Sequence, residues 1–301
     1  MNPMLVVGSV AFDTLHIAGQ THDRVLGGSA VYASIAGTNF APVQLVGVVG
    51  RDFPDTAIKL LKEKGVDLSG LEVVDGHTFH WEGRYHEDLS SRETIRTDLN
   101  VFADFQPKIP EPFRRTPYVM LGNIDPTLQM DVLDQVHAPK LVLADTMNLW
   151  IDIRHEVLTA LLKRVDLLVL NDEEARQLTG EHALVACGRA LQAAGPQAVV
   201  IKKGEHGALL FYGNEELLCL PALPLHSVKD PTGAGDTFAG ALLAYLAREG
   251  DTSADAVRRA VVYGTVVASF CVEGVSTQRL VDVTARDIEG RFAWMGRLVA
   301  F

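Results

Sequence analysis

The stretch Lys229–Gly240, KDPTGAGDTFAG, sets three glycines, a proline and two aspartates directly ahead of an apolar run, ALLAYLAREG (Ala241–Gly250). The pattern predicts a loop opening a helix from about Asp236 to Arg248, ended near Gly250. Glycine lets a ligand approach bare main chain, and the first turn of a helix carries N–H groups without intrahelical partners. Gly233, Ala234 and Gly235 are therefore candidate donors to an oxyanion or a transferring phosphoryl group. Asp236 beside them reads equally as an ordinary N-cap.

Outward from this loop, MLVVG, VQLVGVVG, YVMLGN, KLVLAD, VDLLVL and AVVIKK are short apolar runs, most of them followed by an amphipathic segment. Continuous apolar strands imply burial on both faces and hence a mainly parallel sheet with crossover helices, an α/β fold. The texture changes between Gly76 and Phe105. In HTFHWEGRYHE, Phe79, Trp81 and Tyr85 alternate with His80, Glu82, Arg84 and His86, and a second extended piece, RETIRTDLNVF, follows across the polar link DLSS. This reads as a small β appendage over 77–99, joined by 13–26, on a core of 1–12, 27–76 and 100–301. His77, His80 and His86 suggest a metal, but His77 falls on the opposite strand face and no ligand spacing completes a site. The aromatic face either covers a core or stacks on a ligand.

Composition narrows the function classes. The 301 residues are 48% hydrophobic, enough for a sizeable core. A formal net charge of −11, with no basic stripe, argues against a nucleic-acid polymer as partner. Cys187, Cys219 and Cys271 form no C-x-x-C pair, so thiols in a reducing compartment are expected. No apolar run reaches membrane-spanning length and the N-terminus lacks a signal-peptide pattern, so the chain reads as soluble and cytoplasmic. The phosphate-loop pattern G-x-x-x-x-G-K-[ST] is missing, and Phe238 stands where a dinucleotide fingerprint needs its third glycine.

With these residues in view, DPTGAGDTFAG resembles the signature of the PfkB, or ribokinase-like, sugar and nucleoside kinases. The resemblance spans nearly the whole chain, through GGSAVYASIAG (Gly27–Gly37), GVVGRD (Gly47–Asp52), NDEEA (Asn171–Ala175) and KGEHGALLF (Lys203–Phe211). It implies a three-layer α/β/α sandwich with a mainly parallel central sheet and a small β lid. It further implies an ATP-dependent kinase acting on a hydroxymethyl group, with Asp236 as base and the Gly233–Gly235 amides as anion hole.

By the same resemblance, Asp13, Gly27, Gly28 and Asn123 bind substrate, and Lys203, Gly204 and Gly207 bind ATP. Asn171 and Glu174 organise Mg²⁺, with Glu174 acting on it indirectly, although Asn and Glu at this spacing also make a capping box. Asp230 and Thr232, with VEGVS (Val272–Ser276), resemble a K⁺ loop, or a rigid turn set by Pro231. Asp13 is otherwise an exposed strand-end acid. Asp145 and Asn148 resemble a substrate- or phosphate-side strand end. The chain departs from many relatives at Ser29 and Tyr32, where they carry Lys and Asn, which disfavours free ribose. A nucleoside acceptor is preferred over a free sugar or cyclitol, with Trp81, Tyr85 and Tyr32 as candidate contacts to its base. A non-catalytic binding regulator on the same fold and a dehydrogenase are the rival classes, and a homodimer through the lid is a further expectation.

Overall fold

The computed structural model describes residues 1–86, 89, 91–213 and 216–300. Asp88 and Ser90 of the DLSS link lie outside the described residues. In chain order the strands are β1 (Met4–Val7), β2 (Ala11–Ile17), β3 (Gln20–Gly27), β4 (Val43–Gly50), β5 (Val66–Val74), β6 (Phe79–Tyr85), β7 (Arg92–Asp98), β8 (Tyr118–Leu121), β9 (Leu141–Asp145), β10 (Leu167–Asn171), β11 (Ala198–Lys202), β12 (Ala208–Tyr212) and β13 (Glu216–Leu220). Nine form one sheet in the order β13-β12-β11-β10-β9-β8-β1-β4-β5, antiparallel only at β11–β12 and β12–β13. All six apolar runs read from the sequence are strands of this sheet.

Alternation along each strand divides the core into two layers. Met4, Val6, Leu167 and Val169 enter one cluster, with helices Ser29–Gly37, Ala234–Glu249 and Ala254–Cys271. Leu5, Val7, Leu168 and Leu170 enter the other, with helices Pro126–Gln135, His155–Leu162 and Leu184–Ala194. Both faces are thus covered, as an apolar parallel sheet requires. β1 lies at the switch point, flanked by β4 and β8, and the strand ends Asn171, Lys202 and Asp145 gather on the carboxyl edge where such folds bind ligands.

A second sheet, β3-β2-β6-β7, is mixed: β2 and β6 run parallel, and the other pairs antiparallel. Parallel pairing of Asp13 with Trp81 puts both on one face. Tyr85 shares that face, buried with Leu15 and Ile17. On the other face His80 bonds Thr14 Oγ1 (2.9 Å) and His16 bonds Glu82 (2.8 Å). Phe79 is half-buried, stacked on Phe102 at 5.3 Å.

Two helices on one face of the large sheet cross in close contact. A Cβ on Gly240 would stand 2.4 Å from the Ala33 carbonyl oxygen, so helix Ala234–Glu249 rests on helix Ser29–Gly37 through bare backbone. Gly240→Ala is expected to lose about 1–3 kcal/mol, the usual cost of overpacking. A urea midpoint unchanged from wild type would contradict this.

Candidate active site

Helix Ala234–Glu249 begins two residues before its predicted start, so Gly233, not Asp236, is the N-cap. Gly233 sits at φ 73, and a Cβ there would meet the ring of Tyr32 at 2.4 Å, so both backbone conformation and space demand glycine. The Ala234 N–H donates to Pro231 O (3.2 Å) and the Thr237 N–H to Gly233 O (2.8 Å). The Gly235 amide has no acceptor among the described residues, and the Lys202 ammonium stands 2.8 Å from where its side chain would begin. An amide without an acceptor and a cation therefore both lie at Gly235, at the helix N-terminus.

Asp236 occupies the third helical position. The residue as a whole is half-buried, but its Oδ1 is shut from solvent and has no hydrogen-bond partner among the described residues. Burial and the nearby Asp145 carboxylate push its pKa up to about 7, against the pull of Lys202 and Arg92. A carboxyl group poised there can take a proton from a hydroxyl while the Gly235 amide holds an oxyanion.

Strand ends complete the edge. Lys202 Nζ lies 3.5 Å from Asp145 Oδ2, whose Oδ1 accepts the Thr146 N–H at 2.9 Å. Burial opposes the charge on Lys202, but Asp145, Glu174 and Asp236 together raise its pKa. Asn171 and Glu174 form the full capping box, Glu174 Oε2 accepting the Asn171 N–H (2.8 Å) and Asn171 Oδ1 the Glu174 N–H (2.7 Å). Glu174 is nonetheless buried, which lifts its pKa to about 7. Among the described residues no three His, Cys, Asp or Glu side chains converge to hold a metal ion directly.

Asp13 is buried in the interior of β2, correcting the alternative of an exposed strand-end acid. A side chain on Gly27 would collide with its carboxylate, and Gly28 caps helix Ser29–Gly37. Burial first, then Asp230 and Asp236, raise its pKa to about 8, with Arg92 opposing. Asn123 lies at the same sheet edge, its Oδ1 accepting from Trp150 Nε1 (2.9 Å) and its Nδ2 donating to Met147 Sδ (3.2 Å). Asn148 donates to Gln177 (3.0 Å) on the helix flank. Lys203, Gly204 and Gly207 make the tight turn from β11 to β12, closed by Lys203 N–H to Gly207 O (2.7 Å). Asp230 is buried, its oxygens accepting the Thr232 and Ser276 N–H groups (2.8 and 2.7 Å). A separate cleft of about 440 Å³ lies beside this loop, lined by Leu225, Lys229, Glu273, Arg291 and Trp294 among others.

Two placements depart from expectation. Tyr32 is fully buried beneath Gly233 and supports the loop from below. Lys202, rather than the expected Lys203, faces the acid cluster, because side chains alternate along β11 and Lys202 pairs in register with Asn171. Arg92 was also missed: it pairs with Tyr85 across β6–β7 and influences Asp13, Glu174 and Asp236. Nothing local in RETIRTDLNVF distinguishes it from Arg96.

A carboxyl group of raised pKa thus stands beside a helix N-terminus at the carboxyl edge of a sandwiched parallel sheet. The chain belongs to the pfkB family of carbohydrate kinases, whose model matches residues 4–282. It is a phosphotransferase with an alcohol acceptor. A cytidine kinase of Thermococcus kodakarensis is 31% identical over 252 residues, 82% of this chain and 90% of that protein. The nucleoside kinase of Burkholderia thailandensis in complex with inosine superposes with a TM-score of 0.80 at 18% identity, covering 97% of this chain and 98% of that one. A putative ribokinase II from E. coli, in complex with ATP and Mg²⁺, gives 0.81 at 19%, covering 98% and 99%. These two structures establish the ribokinase-like fold. No helix among the described residues is long and apolar enough to cross a membrane.

The raised pKa of Asp13 has a consequence for stability. An acid whose folded pKa exceeds its unfolded value of about 4 favours the folded state when protonated, and the cost of ionising it grows as pH rises toward 8. Asp13→Asn is therefore expected to raise the melting temperature at pH 8.5 and to leave it nearly unchanged at pH 4.5. A stabilisation equal at both values would contradict the buried-acid account.

Proposed function

We propose that this protein is an ATP- and Mg²⁺-dependent nucleoside kinase that phosphorylates the ribose hydroxymethyl group. The observation that carries the reading is the unpartnered Asp236 Oδ1 beside the unpaired Gly235 amide and Lys202. The acceptor hydroxyl gives its proton to Asp236, and the Gly235 amide and Lys202 hold the phosphoryl oxygens in line. Asp13 accepts hydrogen bonds from ribose hydroxyls, and Trp81, on the same face, covers the base. The second sheet closes as a lid, excluding water from the transfer.

Glu174 and Asp145 fit a Mg²⁺ ion bound through water, since that ion keeps several waters and takes few protein ligands. When bound, the ion neutralises charge on the polyphosphate. The cleft beside Lys229, with Trp294 in its wall, suits the adenine end of ATP. K⁺ at Asp230 and Thr232 is a separate element of the reading, tested by replacing KCl with choline chloride.

The nucleoside preference rests on the similarity to the cytidine kinase and on Trp81. The putative ribokinase II keeps a free sugar as the second reading. An intact base and anion hole argue against a non-catalytic regulator, and the missing glycine fingerprint against a dehydrogenase.

Asp236→Asn is expected to keep the fold and lower kcat by about 10²–10⁴. In wild type, kcat/KM should rise about tenfold per pH unit up to about pH 7 and then level, because the base must lose its proton first. Near-normal turnover in Asp236→Asn would remove the assignment. At least one nucleoside should exceed ribose, fructose and inositol in kcat/KM by about tenfold, the scale of base stacking. Trp81→Ala should narrow that gap through the nucleoside KM. A free sugar outperforming every nucleoside would establish the second reading instead.

A further inference from the structure

Two contacts fasten the second sheet to the loop that opens helix Ala234–Glu249, and both converge on Asp230. The Tyr85 hydroxyl and Thr232 Oγ1 share a hydrogen bond of 2.9 Å. The Ser276 hydroxyl donates to the Leu26 carbonyl in β3, while its N–H donates to Asp230 Oδ2 at 2.7 Å. Asp230 Oδ1 accepts the Thr232 N–H at 2.8 Å. One carboxylate, 1% exposed, thereby ties both fasteners to the residue immediately before Gly233.

Neither fastener is ordinary surface packing. Tyr85 is buried in a cluster with Leu15, Ile17, Val25 and Trp81, to which the body of the protein contributes Val275, the neighbour of Ser276. Ser276 itself is held at φ 54, a left-handed conformation that a residue other than glycine rarely keeps unless its surroundings impose it. The loop thus gets its shape partly from contacts that exist only while the second sheet lies against it.

We propose that Tyr85 is a positioning residue for phosphoryl transfer: by holding Thr232 it sets the backbone at Gly233 and aims the Gly235 amide only when the second sheet is closed. The proposal rests on the phosphotransfer reading of the Gly233–Asp236 loop. Tyr85 touches neither reacting group; it acts through Thr232. Closure over the acceptor and completion of the anion hole become one event, so ATP bound without an acceptor meets an unfinished site and is spared hydrolysis.

Tyr85→Phe removes one oxygen and leaves the ring in its apolar cluster, and Thr232→Val keeps the side-chain shape. Each is expected to lower kcat about tenfold while changing the acceptor KM less than twofold. The double variant should be no worse than the poorer single one, since both break the same bond. Unchanged kcat in Tyr85→Phe, or losses that simply multiply, would overturn the proposal.

A second measurement needs no acceptor. In the unliganded full-length protein, amide hydrogen exchange is followed in residues 79–85 and 229–237. Tyr85→Phe should accelerate both segments together; acceleration confined to 79–85 would overturn the coupling. If wild type phosphorylates no nucleoside or sugar, the kinase reading fails, and the exchange experiment still decides the latch.

Discussion

Negative charge concentrated at one sheet edge is the constraint on which the rest of the structure depends. Asp13, Asp145 and Glu174 are buried there with the Oδ1 of Asp236, and Lys202 is the one ammonium group among them, its side chain 20% exposed. Water no longer solvates these carboxylates, so the protons of Asp13, Glu174 and Asp236 are held into the neutral range, that of Asp145 is held more tightly than usual, and each depends on its neighbours for its charge. A protein of net charge −11 also repels a polyphosphate over most of its surface. Lys202 and the amides of helix Ala234–Glu249 are the local exception, which is why they stand side by side and why no side chain on Gly235 could intervene.

That edge is assembled from distant parts of the chain by the sheet order. β1 sits centrally and delivers the chain into β2, so Asp13 comes from the second sheet, while Asp145, Asn171 and Lys202 come from consecutive strands β9, β10 and β11. The helix bearing Asp236 packs on helix Ser29–Gly37 through Gly240, and the same helix holds Tyr32 against Gly233. Tyr32 therefore acts on the shape of the loop at Gly233. The fit of two helices is transmitted to the placement of one amide.

Six of the seven parallel strands of the large sheet were legible because apolar runs bounded by turn residues leave few alternatives, and the loop-to-helix junction at Gly233 because its glycines precede an apolar helix. The capping box was legible too, since Asn171 and Glu174 encode it locally. Lys202 was hidden by its twin Lys203: only the pairing of β11 with β10 decides which of two adjacent lysines turns toward Asn171. For Asp13 an exposed strand-end acid stayed open as the alternative because its burial depends on β3 and β6 closing around β2, the latter a contact between segments far apart in sequence. Tyr32 was assigned to the substrate because aromatic residues carry no local mark of which surface they cover.

The buried acids also determine what the protein gains from its ligands. A carboxyl group with a raised pKa costs folding free energy once it ionises, and that cost falls in the pH range where the proposed base, Asp236, must be ionised to work. Asp236 raises the proton affinity of Asp13, and Asp145 that of Asp236; in the proposed reading a hydroxyl-bearing acceptor bound between Asp13 and Asp236 relieves both, donating to Asp13 and supplying the orphaned Oδ1 of Asp236 with a partner. Binding the acceptor should therefore shift both groups toward their charged forms. On that reading the substrate completes the electrostatics of its own base, and the free energy released on pairing these buried acids helps select a ligand with hydroxyls in the right places.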